Sequence, residues 1–427
     1  MDADLLILHA AQVLTLASAG PKRGPAMADL GIIPDGAVAI QGEVIAAIGP
    51  TEEIASRYQS PTVIEAQGKV VLPGFVDPHT HALFAGDRAE EFELRLRGAT
   101  YLEIMQAGGG IQRTVNATRM ASWDALLRET RARLEQMLLH GTTTAEVKTG
   151  YALETAGELR LLRAILALDR DSHQALDLVP TFLAAHAVPR EYRDNPEAYV
   201  RLVVEEMLPA AAALWAEETA RESRPAPLFC DVFCEQGAFD LAQSRHILEK
   251  ARSLGMGLKI HVDEFASLGG TALAVELGAV SADHLVCTPE DELLALAHSG
   301  AIAVSLPGTP FGLGQAHYSP ARRLIDAGGA LALATDLNPG TCYCESMPFI
   351  IALACRSMRL APAEAIAAAT INAAYAIGWG KRVGSLEAGK QADILILDLP
   401  DYRHLAYRFG TNPVETVIKR GQIAVVR

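Results

Sequence analysis

His79 and His81 stand two residues apart in Val70–Arg88, VVLPGFVDPHTHALFAGDR, where an apolar, largely β-branched run ends. On an extended strand residues two apart project from one face, which puts these two about 7 Å apart at the backbone. Two imidazoles converging at a strand end suit a metal ion, although a lone His-x-His also occurs on surface loops. His261 and Asp336 offer two more ligands of the same kind, so the four supply the three protein ligands and open position of a hydrolytic site. Water in that position is acidified toward neutral pH. Glu264, three residues after His261, is placed to act as its general base and proton shuttle, or else to be a salt-bridging rim residue. His284 could donate to a developing oxyanion or brace Asp336. Lys148 would bridge two metals if carboxylated, but Glu146 precedes it and nothing demands a second ion.

The elements that would position these groups alternate. Apolar runs at Val70–Val76, Thr142–Val147, Leu176–Leu183, Leu228–Phe233, Leu258–Val262, Ala279–Ala282, Ala301–Leu306 and Ala330–Ala334 read as strands. Helical patterns intervene at Trp123–Leu139, Glu154–Leu168, Ala198–Thr219, Asp240–Leu254 and Pro289–Ala297. Eight strands alternating with helices predict a closed parallel (β/α)8 barrel, and no glycine fingerprint favours an open nucleotide-binding sheet. Catalytic groups in such barrels sit at the C-terminal strand ends. His79, His81, Glu146, Lys148, His186, Glu235, His261, Glu264, His284 and Asp336 all follow or finish one of the eight runs. The connection Ala82–Ser122 is long for a barrel loop and carries Arg88, Tyr101 and Gly108-Gly109-Gly110, a composition suited to covering a ligand or to a solvated insertion.

Both ends of the chain have a different texture. Short strands are expected at Leu5–Leu16 and Ala37–Ile48, turning at Gly42-Glu43, and again at Ala392–Leu399 and Val417–Val426. The two ends can pair into one small β-sandwich domain, giving residues 1–66 and 379–427 to that domain and 67–378 to the barrel.

Bulk properties narrow the function. A formal net charge of −14 argues against nucleic acid and anionic membrane surfaces and leaves small-molecule substrates. The six cysteines form no CxxC pair, and free thiols in a reducing compartment are expected. Two aspartates open the chain and no Lys or Arg precedes Lys22, so a secretory signal is not expected; no apolar run reaches the length of a membrane span. A soluble, cytoplasmic protein is the expectation.

The segments PGFVDPHTH, KIHVDEF, SADHL and ALATDLNPG, in that order, resemble the amidohydrolase superfamily of metal-dependent hydrolases. FAGDRAEEFELRLRGATYLEIMQAGGGI, EVKTGYAL, PTFLAAHAVP, DVFCEQGAF and YRFGTNPVETVIKRG narrow the resemblance to the imidazolonepropionase family, which opens an imidazolone ring in histidine degradation. The resemblance implies one zinc or iron ion held by His79, His81, His261 and Asp336, with Glu264, His284 and Asp336 as the catalytic groups. It implies substrate contacts from Arg88, Tyr101, Tyr151, His186, Glu264, Asn338, Gly340 and Thr341. Leu337 departs from the aromatic of many relatives without touching the ligands. The implied reaction adds water to 4-imidazolone-5-propanoate and gives N-formimidoyl-L-glutamate, and Arg88 offers a forked partner for the propionate. A homodimer is implied by analogy alone. The alternatives are a heterocycle deaminase built on the same metal constellation and a non-catalytic barrel serving as a binding module.

Overall fold

A computed structural model of the chain describes residues 1–99, 109–171, 175–222 and 225–427. Eight parallel strands pair in chain order: Phe75–Asp77, Thr142–Lys148, Asp177–Ala185, Phe229–Cys234, Gly257–Val262, Ser281–His284, Ile302–Ser305 and Leu331–Leu333. The last returns to the first through backbone hydrogen bonds just beyond both strands. His79 O accepts from Asp336 N–H at 3.1 Å, and Leu337 O accepts from His81 N–H at 2.9 Å. The buried Asp77 carboxylate seals the same seam, accepting from the Thr335 N–H at 3.1 Å and the Thr335 hydroxyl at 2.5 Å. The expected (β/α)8 barrel is therefore present.

Its helices follow from the sequence pattern. Helix Trp123–Leu139 starts where the Ser122 side chain accepts from the Ala125 N–H, and it buries Leu126, Thr130, Leu134, Met137 and Leu138 at the three- and four-residue spacing of one face. Asp240 and Gln243 form a reciprocal capping box that opens Leu241–Ser253. Three expectations change. The run Val70–Val76 divides at Gly74: Val70–Pro73 joins the terminal sheet, and only Phe75–Asp77 enters the barrel. A Cβ at Gly74 would collide with the Thr143 side chain, so the chain can cross the second barrel strand there only without one. Val417–Val426 is a hairpin, Val414–Lys419 and Gln422–Val426, because Arg420 and Gly421 both take positive φ. Among its described residues, the connection Ala82–Ser122 holds two helices, Ala89–Leu96 and Ile111–Met120.

The ends of the chain build a second sheet, in which Leu5–Leu14 lies between Ile32–Gln41 and Val70–Pro73, and the C-terminal strands Ile394–Leu397, Val414–Lys419 and Gln422–Val426 extend the far side. The sheet curls on itself: Lys390 O accepts from the Ile45 N–H, and Glu43 O accepts from the Ala392 N–H. Ile7, Val13, Val38, Ile40, Val71, Ile394, Ile396 and Ile418 form a core separate from that of the barrel.

A buried ionic cluster ties this sheet to the base of the barrel. Asp177, at the start of the third barrel strand, accepts from Lys419 Nζ at 2.7 Å, from Gln391 Nε2 at 2.6 Å and from Arg420; Asp393 shares Lys419 at 2.6 Å. Burial would raise the Asp177 carboxyl, but Lys419 and Arg420 outweigh it and hold the group at about 2. Because the folded value lies below the unfolded one, the stabilisation is full above about pH 4 and is lost as pH falls toward 2. Asp177→Asn is expected to destabilise the protein by about 3 kcal/mol at pH 7, since it leaves a buried ammonium short of a partner. Thermal unfolding of the two proteins should differ most at neutral pH and converge below about pH 4; a constant difference across that range would contradict the assignment.

Candidate metal centre

Just past the first barrel strand, Pro78 ends the regular ladder and the backbone is held from both sides, with Thr80 O accepting from the Lys148 N–H at 3.0 Å. This fixes His79 and His81 with ring centroids 5.3 Å apart. They lie just beyond the strand in a segment still bonded on both sides, His79 and His81 to Asp336 and Leu337 and Thr80 to Lys148, so the alternation of extended backbone keeps both rings on one face. His261, next to last in the fifth barrel strand, brings its ring to 4.4 Å from His79 and 5.4 Å from His81. The Nε2 atoms of His261 and His81 face each other at 3.3 Å, and Asp336 Oδ1 stands 3.6 Å from His79 Nε2 and 3.5 Å from His81 Nε2. His79, His81 and His261 thus offer three ligand atoms within 4.8 Å of one another, as do His79, His284 and Asp336.

These atoms fit a cation better than they fit each other. His79 Nε2 is fully buried without a hydrogen-bond partner among the described residues, and two imidazole nitrogens at 3.3 Å with a carboxylate beside them form a donor set typical of zinc or iron. Burial lowers the pKa of His79, His81 and His284 well below the ordinary value, which keeps neutral imidazoles with a lone pair to give.

Carboxylates behind the rings orient them. Asp283 Oδ2 accepts from His79 Nδ1 at 2.6 Å, and Asp231 Oδ2 lies 2.9 Å from His261 Nδ1, leaving the Nε2 edges toward the ligand cluster. Lys148 supports both carboxylates: its Nζ donates to Asp231 at 2.8 Å and to Glu146 at 2.6 Å and stands 4.0 Å from Asp283. Burial would lower its pKa, but Asp231, Glu146 and Asp283 outweigh that and raise it, so Lys148 is a fixed ammonium. Glu146 also accepts from the Thr181 hydroxyl, and Thr309 donates to Asp336. Burial, tempered by Thr309, brings the Asp336 carboxyl to about 6. Asp231 was not singled out in the sequence; its signal was a charge inside the otherwise apolar strand Phe229–Cys234.

Glu264 and His284 meet at the rim of the cluster, with 3.7 Å between Glu264 Oε2 and His284 Nε2. Burial first, then Asp336 and Glu235, pushes the Glu264 carboxyl well above its ordinary range. Asp263, His284, Leu285 and Asp336 all have positive φ between 54° and 80°, an unusual gathering of strained backbone at the strand tips around one point.

A row of rings leads outward from His81. His186 stacks on it at 4.9 Å, and Tyr151 lies 5.2 Å from His186 and 6.2 Å from Phe84. His186 Nδ1 is bonded to Gly150 O at 3.0 Å, which leaves Nε2 as the acceptor of the neutral ring, and burial brings the ring's pKa down to about 3. Beyond Tyr151 is Arg88, whose charge acts on the phenol, and a Cβ at Gly340 would fall on the Arg88 guanidinium. Asn338 organises its own loop: Oδ1 accepts from the Gly340 and Thr341 N–H groups at 2.8 Å each, and Nδ2 donates to Asp336 O at 2.8 Å and to Thr341 Oγ1 at 2.9 Å. Asn338 and Thr341 thus spend most of their capacity on each other. Tyr101 lies outside the described residues.

The Amidohydrolase family model matches residues 70–424, and a model for an imidazolonepropionase-like composite domain of bacteria matches residues 36–58. An imidazolonepropionase of Herpetosiphon aurantiacus is 57% identical over 99% of this chain and 97% of its own. One of Chloroflexus aggregans is 54% identical over 99% and 98%. Among solved structures, a zinc-bound adenosine deaminase from Xanthomonas campestris superposes with a TM-score of 0.73 at 21% identity, covering 100% of this chain and 93% of that one. An E. coli guanine deaminase gives 0.72 at 16%, covering 99% of each. At such identities these two structures speak to the fold alone.

Lys148→Met keeps the volume and removes the ammonium that Asp231 and Asp283 lean on. The variant is expected to melt several degrees lower, corresponding to about 3 kcal/mol, and to release zinc to a chelator at least about tenfold more readily than the unmodified protein. Unchanged melting and unchanged metal retention would remove Lys148 from this role.

Proposed function

We propose, from the premise that the chain belongs to the amidohydrolase family and within it to the imidazolonepropionases, that it hydrolyses 4-imidazolone-5-propanoate to N-formimidoyl-L-glutamate. The observation that carries the reading is the pairing of a histidine and carboxylate cluster with a forked cation, Arg88, across a row of rings. His79, His81, His261 and Asp336 are the residues that would hold one zinc or iron ion, and such an ion supplies an acidified water and a Lewis acid.

The chain's own groups perform the rest. Arg88 binds the propionate of the substrate as a forked, permanently charged donor. Tyr151, protonated because burial raises its pKa, and His186, neutral with Nε2 free to accept, bracket the imidazolone ring between that anchor and His81. This places the ring carbonyl toward Glu264 and His284. Glu264 takes a proton from the water that attacks the carbonyl carbon, and its raised pKa is the direction that suits a group gaining and losing a proton near neutral pH. His284, held neutral by burial, donates its N–H to the oxygen as negative charge develops there. The ring C–N bond then breaks, the leaving nitrogen takes the proton from Glu264, and the former carbonyl carbon becomes the new carboxylate.

Incubation of the zinc- or iron-loaded protein with imidazolonepropanoate should consume the ring's ultraviolet absorbance and yield formimidoylglutamate; a loaded, folded protein without that turnover would refute the reading. Glu264→Gln is expected to fold, to retain metal and to lose at least about a hundredfold in kcat. Arg88→Ala should raise KM for imidazolonepropanoate by about 10- to 100-fold, the loss of a charge-assisted pair. An unchanged KM would argue for a substrate without a carboxylate, such as an aminated heterocycle.

A further inference from the structure

Arg88 precedes helix Ala89–Leu96, and the third residue of that helix, Glu91, is almost fully buried. Glu91 Oε2 accepts from Arg88 Nε at 2.8 Å. Both Glu91 oxygens also lie 3.2 Å from the N–H of Gly110, the residue that opens helix Ile111–Met120. The carboxylate is therefore tied at two points and sits at the N-terminal end of a ten-residue helix, which holds it in place. On the opposite side, the Gly340 backbone lies flush against Arg88 Nη1, and Arg95 Nη2 fixes the Gly340 carbonyl at 3.0 Å. A guanidinium has five N–H donors in a rigid fork. Here Nε is committed to Glu91, while Nη1 and Nη2 make no hydrogen bond among the described residues.

We propose that Glu91 is a positioning residue for substrate specificity, aiming the free Nη edge of Arg88 at the carboxylate of the substrate. The inference rests on Arg88 as the carboxylate's partner. An arginine side chain has several rotatable bonds, and a carboxylate gains its second hydrogen bond only if the fork is presented flat on. Without Glu91 the fork must be ordered at the moment of binding, and part of the affinity is lost to that ordering. Glu91 also places a negative charge beside an anion-binding group. Two opposed effects are thus in play, and orientation is inferred to outweigh repulsion, because the Glu91 charge is already compensated by Nε, the Gly110 N–H and the helix end.

Steady-state kinetics of the metal-loaded protein with imidazolonepropanoate test this. Glu91→Ala is expected to raise KM at least about tenfold while kcat stays within about twofold, the pattern of lost binding without lost chemistry. Glu91→Gln keeps an acceptor for Nε and should return KM to within about threefold of the unmodified protein. The double variant Arg88→Ala/Glu91→Ala should be no worse than Arg88→Ala alone, since a positioning residue has nothing to act on once its target is gone. A wild-type or lowered KM in Glu91→Ala, or additive losses in the double variant, would overturn the inference. Should Glu91→Ala fail to fold, Glu91→Asp puts the same question by drawing the carboxylate back one methylene: a raised KM supports the inference, and an unchanged one overturns it. If Arg88→Ala itself binds normally, the failure lies with the carboxylate assignment; if only the Glu91 variants bind normally, it lies with Glu91.

Discussion

The site depends on packing a cluster of acidic and basic side chains against one another where water does not reach. Glu146, Asp231, Asp283 and Asp336 are buried around the ligand cluster, against two buried ammoniums, Lys148 and Lys259, the second 3.8 Å from Asp283. Uncompensated charge in an interior costs several kcal/mol per ion, so each of these carboxylates needs a cation or a donor beside it. His79 Nε2, buried and without a hydrogen-bond partner among the described residues, stands 3.6 Å from Asp336 Oδ1 in the same cluster. The lysines do more than balance charge: Lys148 joins the carboxylates behind His79 and His261 through one nitrogen, so the two rings are not aimed independently.

Rigid aim carries a backbone cost. Asp263, His284, Leu285 and Asp336 adopt positive φ, each worth about 1–3 kcal/mol of strain for a residue other than glycine. The surroundings over-determine these conformations. Asp263 accepts from the hydroxyls of Thr271 and Thr288 at 2.7 and 2.8 Å, and the Asp336 backbone N–H is held by His79 O. The strain turns side chains at strand tips toward one another, which straight strands with alternating side chains cannot do.

Much of this was legible in the sequence because continuous apolar, β-branched runs and their polar endings survive folding. All eight barrel strands and the five clearest helices lie close to where the pattern puts them, and His79, His81, His261 and Asp336 converge. What escaped was set by contacts with no local signature. The division of Val70–Val76 at Gly74 depends on Thr143, nearly seventy residues away. The hairpin within Val417–Val426 turns at Arg420, whose positive φ no propensity favours and whose side chain is spoken for by Asp177. Asp231 sits inside an apolar strand, where a single charge reads as an interruption until its partners are known. Glu91 lies in a run of acidic residues that a sequence presents as a solvated helix face, and only the approach of Gly110 shows that this one is buried.

The arrangement separates two tasks along one short piece of chain. His79 and His81 hang from the barrel seam, fixed by backbone bonds to the second and eighth strands and by charges beneath them. Arg88, seven residues on, belongs to a helix outside the barrel and takes its aim from Glu91 and the Gly340 loop rather than from any barrel strand. No hydrogen bond among the described residues links Arg88 or Glu91 to His79, His81 or the carboxylates behind them. One contact does connect the two regions. Asn338 ties the Asp336 carbonyl to the Gly340 and Thr341 N–H groups, so the loop that walls Arg88 is an extension of the strand tip that carries Asp336. On the proposed reading, a carboxylate held at Arg88 would be measured from a wall built on Asp336, and that wall would set the distance between the substrate's anchored end and the bond to be broken.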